Sequence, residues 1–304
     1  MKAKLHRLAI AIWHARYLYL LLIPGIVYFA VFHYGPMNGL LLAFKKYNAR
    51  LGIWGSKWVG LDNFRRIFTT PAAVTAIRNT LEINLSRLLF QFPVPILLAL
   101  LLNEMRNLRY KKLLQTFLYV PHFISIVIVV SITMILFGPS GIVYKVTENV
   151  LGQPINYLGS PDTFRWMIIG QSIWKETGWG TIIFLAALTN VDTQLYEAAM
   201  VDGAGRLRRL WHITLPAIRS TIVLMLILRM GSMLDTGHDH LILMANSLNR
   251  SASQTLDVFV YQQGLQQGQF SYASAVGLMK SIVSIVLVVS SNKIAHALGE
   301  SGLY

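Results

Sequence analysis

Six long apolar stretches, separated by polar or Pro/Gly-marked segments, run through the sequence at about residues 17–34, 81–102, 117–137, 164–188, 216–234 and 273–291. A helix needs roughly 17 to 25 mainly apolar residues to cross about 30 Å of hydrocarbon. Lipid offers no partner for backbone N–H and C=O groups, so stretches of this length can pair them only as helices. An all-α membrane protein, a bundle of six transmembrane helices, is therefore expected. Composition agrees: of 304 residues 54% are hydrophobic and 13% charged, against about 25% charged in soluble domains. That excludes a water-soluble domain, and 14 Phe, 13 Tyr and 7 Trp exclude a disordered chain. With no cysteine, disulfide frameworks, thiolate zinc sites and thiol nucleophiles are ruled out together.

The net charge of +14 would suggest nucleic acid in a soluble protein, but here the positive-inside rule explains it, with lipid and not nucleic acid as the partner. Lys2, Lys4, Arg7 and Arg16 precede the first stretch; Arg106, Arg109, Lys111 and Lys112 follow the second; Arg206, Arg208 and Arg209 follow the fourth. These segments fall on one side if the six stretches alternate, which places both termini in the cytoplasm. Residues 1–16 then form a cytoplasmic tail and 17–304 the membrane domain. The first stretch ends at His33, Tyr34 and Pro36 without a small-residue cleavage site, so it reads as an uncleaved span. The loop after it departs from the rule, with Lys45, Lys46, Arg50, Lys57, Arg65, Arg66 and Arg78. Within it Leu61, Phe64, Ile67 and Phe68 recur at helical spacing opposite Asp62, Arg65 and Arg66. That is the pattern of a helix lying on the outer leaflet, or of a surface helix packed on the bundle.

No phosphate-cradling G-x-x-x-x-G-K-[ST] loop, G-x-S-x-G or H-E-x-x-H is present. A non-catalytic chain is expected. The informative segment is the loop at about residues 189–215. Tyr196 to Val201 are good helix formers, and Gly203 permits a turn. A helix this short cannot stand alone; it reads as a docking element.

Glu197-Ala198-Ala199, three residues, Gly203, nine residues, then Ile213-x-Leu215-Pro216 resembles the EAA loop of binding-protein-dependent ABC importer permeases. The likeness extends along the chain to the polysaccharide and oligosaccharide branch: Ile23-Pro24-Gly25, Tyr34-Gly35-Pro36-Met37, Trp58-Val59-Gly60-Leu61-Asp62-Asn63-Phe64, Pro121-His122-Phe123, Gly277-Leu278-Met279-Lys280-Ser281 and Gly299-Glu300-Ser301-Gly302-Leu303. Gly237-His238-Asp239 departs from the aromatic residue that such permeases more often carry after the glycine. The resemblance implies a type I ABC importer permease fold in a bacterial inner membrane. It implies a coupling helix with Glu197, Ala198, Ala199, Asp202, Gly203 and Ala204, continued by Leu215 and Pro216, seated on a cytoplasmic ATPase subunit. Implied partners are a second homologous permease, an ATPase dimer that uses ATP and Mg, and an extracytoplasmic solute-binding protein; the chain itself binds no cofactor.

Ionisable groups at membrane depth face a cavity, a partner or the interface. Here they are Arg87, Lys175, Glu176, Arg229 and Lys280, and the fourth stretch is further interrupted by Gln171, Ser172 and Thr177. One reading is structural ion pairing of Lys175 or Arg229 with Glu176 or Asp235. The other is a cationic pathway for an acidic sugar polymer such as an alginate-like uronate oligomer, formed by Arg87, Gln171, Trp174, Lys175, Arg229, Asp239 and Lys280. Trp174 and Trp179 would offer stacking faces. His238 and His240 of the Asp235/His238/Asp239/His240 cluster diverge by about 200° on a helix, which favours a polar pore mouth over a metal site. Two other classes also place charges in a membrane. An ion-coupled secondary sugar transporter often shows repeated halves, and none is evident. An enzyme on lipid-linked sugar would use Glu176, Asp235 and Asp239 as acids.

Overall fold

The computed structural model describes residues 13–153, 155–300 and 302–303. Lys2, Lys4 and Arg7 of the basic tail, and Ser301, lie outside the described residues. The chain divides into two compact units, one of Met1–Arg66 with Gln263–Leu278, the other of Ile67–Gln262 with Met279–Tyr304.

In the first unit α1 (Arg16–Phe44) is apolar, and none of its residues up to Tyr34 is buried within the chain. It continues past the expected stop at residue 34, because Pro36 sits at the start of a tighter turn of helix, where its fixed φ is already helical. A hairpin not foreseen in the sequence follows, β1 (Lys45–Asn48) antiparallel to β2 (Ser56–Trp58). Ser56 fixes its turn by accepting from Asn48 N (3.0 Å) and donating to Gly52 O (2.6 Å). The next helix, α2 (Asp62–Thr69), is tied to the hairpin by Asn63, which donates to the carbonyls of Ala43 and Lys45. Its apolar face does not lie wholly on lipid: Ile67 is buried and Phe64 packs on Phe44, while Leu61 and Phe68 are exposed.

The second unit contains α3 (Pro71–Asn103), α4 (Leu108–Phe123), α5 (Ile126–Phe137), α6 (Ile142–Leu151) and α7 (Pro161–Thr189). After them come α8 (Thr193–Val201), α9 (Arg206–Ala217), α10 (Arg219–Gly231), α11 (His238–Met244) and α12 (Leu256–Tyr261). The last helix, α13 (Phe270–Ala297), starts in the first unit and ends in the second. Among the described residues α1, α3, α5 with α6, and α13 are long and apolar enough to cross a membrane, and α9 with α10, bent by 57°, makes a fifth. The six expected spans are thus matched by four or five; α7, although its 29 residues reach about 44 Å, is not among them.

Two expected spans need correction. Residues 117–137 are not one helix: α4 stops at Phe123, Ile124 is extended, and the Ser125 hydroxyl accepts from Ile128 N to start α5. The stretch 216–234 is likewise broken at Ile218. A break at membrane depth frees carbonyls that must be satisfied by protein. Lys175 of α7 does so after α4, donating to His122 O and Ile124 O at 2.7 Å each. Close approach of α7 to its neighbours rests on small residues: a Cβ at Gly178 would run into the Leu118 carbonyl of α4, and one at Gly180 would lie 2.9 Å from Pro95 of α3. Apolar clusters close the unit, one around Ile83, Phe164, Ile168 and Leu241, another around Ala99, Phe184, Leu188 and Ile218.

Candidate transport pathway and coupling loop

Helices α3, α5, α7 and α10 and the segment 232–240 line an open cavity of about 420 Å³, within the range of ligand sites. Five of the seven residues expected to form a cationic pathway line it, Arg87, Gln171, Lys175, Arg229 and Asp239, and so do Glu176, Asp235, His238 and His240. Trp174 does not; with Gln171 and Trp166 it lines a second, mainly apolar cavity of about 430 Å³. Lys280 lines neither and is instead paired with Asp257.

The expected pairing of Lys175 or Arg229 with Glu176 or Asp235 is not formed. Lys175 binds the two carbonyls after α4, and Arg229 Nη2 donates to Gln91 Oε1 at 3.2 Å. Arg87, only 7% exposed, donates from Nη1 to Thr236 O at 3.1 Å, and its Nε has no partner. The lining acids are engaged elsewhere: Glu176 with His122 Nδ1 (3.0 Å), Asp239 with His238 (2.9 Å), and Asp235 with the Gly237 N–H (3.2 Å). The three cations thus bond uncharged acceptors, and none of the lining carboxylates is paired with them.

Gln171 is committed to structure: its amide nitrogen donates to Thr133 Oγ1 at 2.6 Å, and its oxygen meets His240 Nε2. Burial, helped by the charges of Arg87 and Lys175, lowers the His240 pKa to about 4, so the ring is neutral at neutral pH and donates to Gln171. His238 is exposed, and both imidazoles line the cavity.

Behind the cavity, the Asp257 carboxylate accepts from Thr236 N (2.7 Å), Thr236 Oγ1 (2.9 Å) and Lys280. Arg87 holds the carbonyl of the same threonine. Thr236 precedes Gly237, which has φ +76° at the turn into α11. Asp257 was missed in the sequence, although a single acid within Leu256-Asp257-Val258-Phe259-Val260 is the signal of a buried partner.

The coupling segment is built from local bonds. Asp192 caps α8 by accepting from Gln194 N (2.9 Å), a standard way to satisfy a first-turn N–H. The helix ends at Gly203, φ +73°, with Gly203 N to Met200 O (3.1 Å) and Ala204 N to Ala199 O (2.8 Å). This paired closure is the Schellman arrangement, which needs a left-handed residue. Tyr196 OH and Thr214 Oγ1, 3.0 Å apart, join α8 to α9, which contains Leu215 and Pro216. Leu195, Met200, Val201, Leu207 and Trp211 are exposed along the segment, Val201 by 89%. Leu195, Met200 and Val201 give this nine-residue helix an exposed apolar surface, the kind that marks a docking site.

A family model described as "Binding-protein-dependent transport system inner membrane component" matches residues 91–299. Protein LplB of Bacillus subtilis (strain 168) is 54% identical over 290 residues, covering 95% of this chain and 91% of its own length. The polygalacturonan/rhamnogalacturonan transport system permease protein YteP of the same strain is 49% identical over 304 residues, 100% of this chain and 95% of that one. A chain of a bacterial alginate ABC transporter, solved in complex with an alginate pentasaccharide-bound periplasmic protein, superposes with a TM-score of 0.90 at 36% identity, over 98% of this chain and 100% of that chain. Matched along its length by these proteins, the chain belongs to the family of binding-protein-dependent inner-membrane transport components, the non-catalytic permease subunits of ABC importers.

Proposed function

We propose that this permease imports an acidic oligosaccharide, a uronate-containing chain, through the cavity lined by Arg87, Lys175 and Arg229. What carries the reading is that these three cations hydrogen-bond uncharged acceptors while each lining acid has another partner. Positive charge thus stays available to a carboxylate. Guanidinium groups suit that role by their fixed fork of donors. The mixed lining offers hydroxyl-binding groups as well, including Gln91, Ser232 and His238. Two relatives, named for polygalacturonan/rhamnogalacturonan and for alginate, support the same substrate class.

In this reading both termini are cytoplasmic, and the chain works with a second permease, a solute-binding protein and a pair of ATPase subunits that use ATP and Mg. Glu197 to Ala204 seat in the ATPase subunit. Closure of the ATPase pair moves α8, and the Tyr196–Thr214 contact passes that movement to α9 and α10, whose Arg229 faces the cavity. Energy thus reaches the pathway through a two-state element biased by a distant ligand.

The test is transport and substrate-stimulated ATPase of the reconstituted four-component complex with uronic and neutral oligosaccharides. Arg229→Gln should raise the half-saturating uronic oligosaccharide concentration about tenfold or more, the loss expected for a charged hydrogen bond, with maximal ATPase retained. An unchanged response to the uronic oligosaccharide rejects the acidic-substrate reading.

A further inference from the structure

The first unit contains a second polar site that transport through the cavity does not use. Residues 45–66 contain six Lys or Arg and a single acid, Asp62. In the hairpin Lys46 and Lys57 are directly opposed across the two strands, both exposed. Like charges so placed destabilise a sheet unless something negative lies between or beside them, and neither lysine takes part in an ion pair among the described residues. Lys46 also edges a cavity of about 220 Å³, with Asn63, Arg66, Gln269 and Ser271 on its walls. Arg66 is held in place there: its guanidinium lies 4.3 Å from the centre of the Tyr272 ring and donates to Gln269 Oε1 at 2.9 Å, while Tyr272 OH donates to Arg66 O.

The height of this site is set by the chain. β1 begins at Lys45, the residue after α1 ends, and α1 is a candidate membrane span. The hairpin therefore stands where a span leaves the hydrocarbon. Trp54 is 77% and Trp58 58% exposed, and Leu51 and Leu61 are exposed as well. Tryptophan beside lysine at the end of a span is the composition of a membrane–water interface.

We propose that the hairpin and the cavity beside it form a binding site for an anionic phospholipid, with the headgroup phosphate held by Lys46, Lys57 and Arg66 and with Trp54 and Trp58 set among the acyl-chain ends. This accounts for the basic first loop, which the positive-inside rule leaves unexplained: its charges serve a lipid surface.

The test places the assembled transporter in lipid nanodiscs and quenches tryptophan fluorescence with phosphatidylglycerol or phosphatidylcholine brominated on the acyl chains. Trp54→Phe/Trp58→Phe, subtracted from the wild type, isolates these two among the 7 tryptophans. Brominated phosphatidylglycerol should quench them at lower mole fraction than brominated phosphatidylcholine. Lys46→Gln and Lys57→Gln should shrink that preference by about fivefold each, the effect of one cation at an anionic membrane surface, and Lys46→Arg should retain it. Equal quenching by both lipids, or a preference that survives in the double Gln variant, overturns the proposal. So does a fall in solute-binding-protein affinity of the Gln variants in discs of phosphatidylcholine alone, which would assign the lysines to that protein.

Discussion

Removal of either half of the Asp257–Lys280 pair should be more damaging than removal of both. The two side chains are 13% and 19% exposed, so a charge left alone here is largely desolvated, and breaking a buried pair typically costs about 3–5 kcal/mol. The halves are not equivalent. Lys280→Met leaves Asp257 with two donors from Thr236, which places it near the lower end, about 3 kcal/mol. Asp257→Leu strands the ammonium and also deprives Thr236 N of its acceptor, an added penalty of about 1–3 kcal/mol, so about 5 kcal/mol or more is expected. The double variant carries no unpaired charge and should be more stable than either single one, giving non-additivity of at least about 2 kcal/mol. Unfolding by SDS titration in mixed micelles, followed by circular dichroism, measures all four corners of the cycle. Additivity to within about 0.5 kcal/mol would refute the claim that this pair is an energetically coupled clamp on the segment beside the cavity.

Two further outcomes follow from glycine geometry. At Gly203 a Cβ would meet nothing within 4 Å, but φ is +73°, so Gly203→Val carries a backbone penalty of about 1–2 kcal/mol confined to an exposed loop. Membrane insertion should persist while substrate-stimulated ATPase falls, and Gly203→Asn, which tolerates the left-handed region, should retain more activity; equal loss in both would show that groove space and not backbone conformation matters. Gly178→Val is the opposite case, since its Cβ would strike the backbone at Leu118. Separation of α7 from α4 should lower stability by about 3 kcal/mol, seen in the same SDS titration, and a wild-type midpoint would contradict the close packing of these helices.

The amino-acid sequence alone determined that the chain is a helical membrane bundle, because the length of an apolar run and its 3.6-residue period are properties of neighbouring residues. It also determined the short helix that closes at Gly203, whose bonds span three to five residues, and the set of polar side chains within the apolar stretches. Tertiary structure decided what those side chains do. Lys175, which as sequence looks like a pathway cation, also satisfies carbonyls freed by a break between α4 and α5, 51 and 53 residues away. Lys280 finds Asp257, and Arg87 reaches Thr236 across 149 residues. Gln171 lines the cavity but spends its amide on Thr133 and His240. The break itself was invisible because residues 117–137 are apolar throughout most of their length; only the carbonyl acceptors of one helix meeting the lysine of another make it tolerable. Hydrophobic period specifies which face of a helix turns inward, whereas the partner of a buried charge depends on which distant face comes to lie against it, and that is settled by packing.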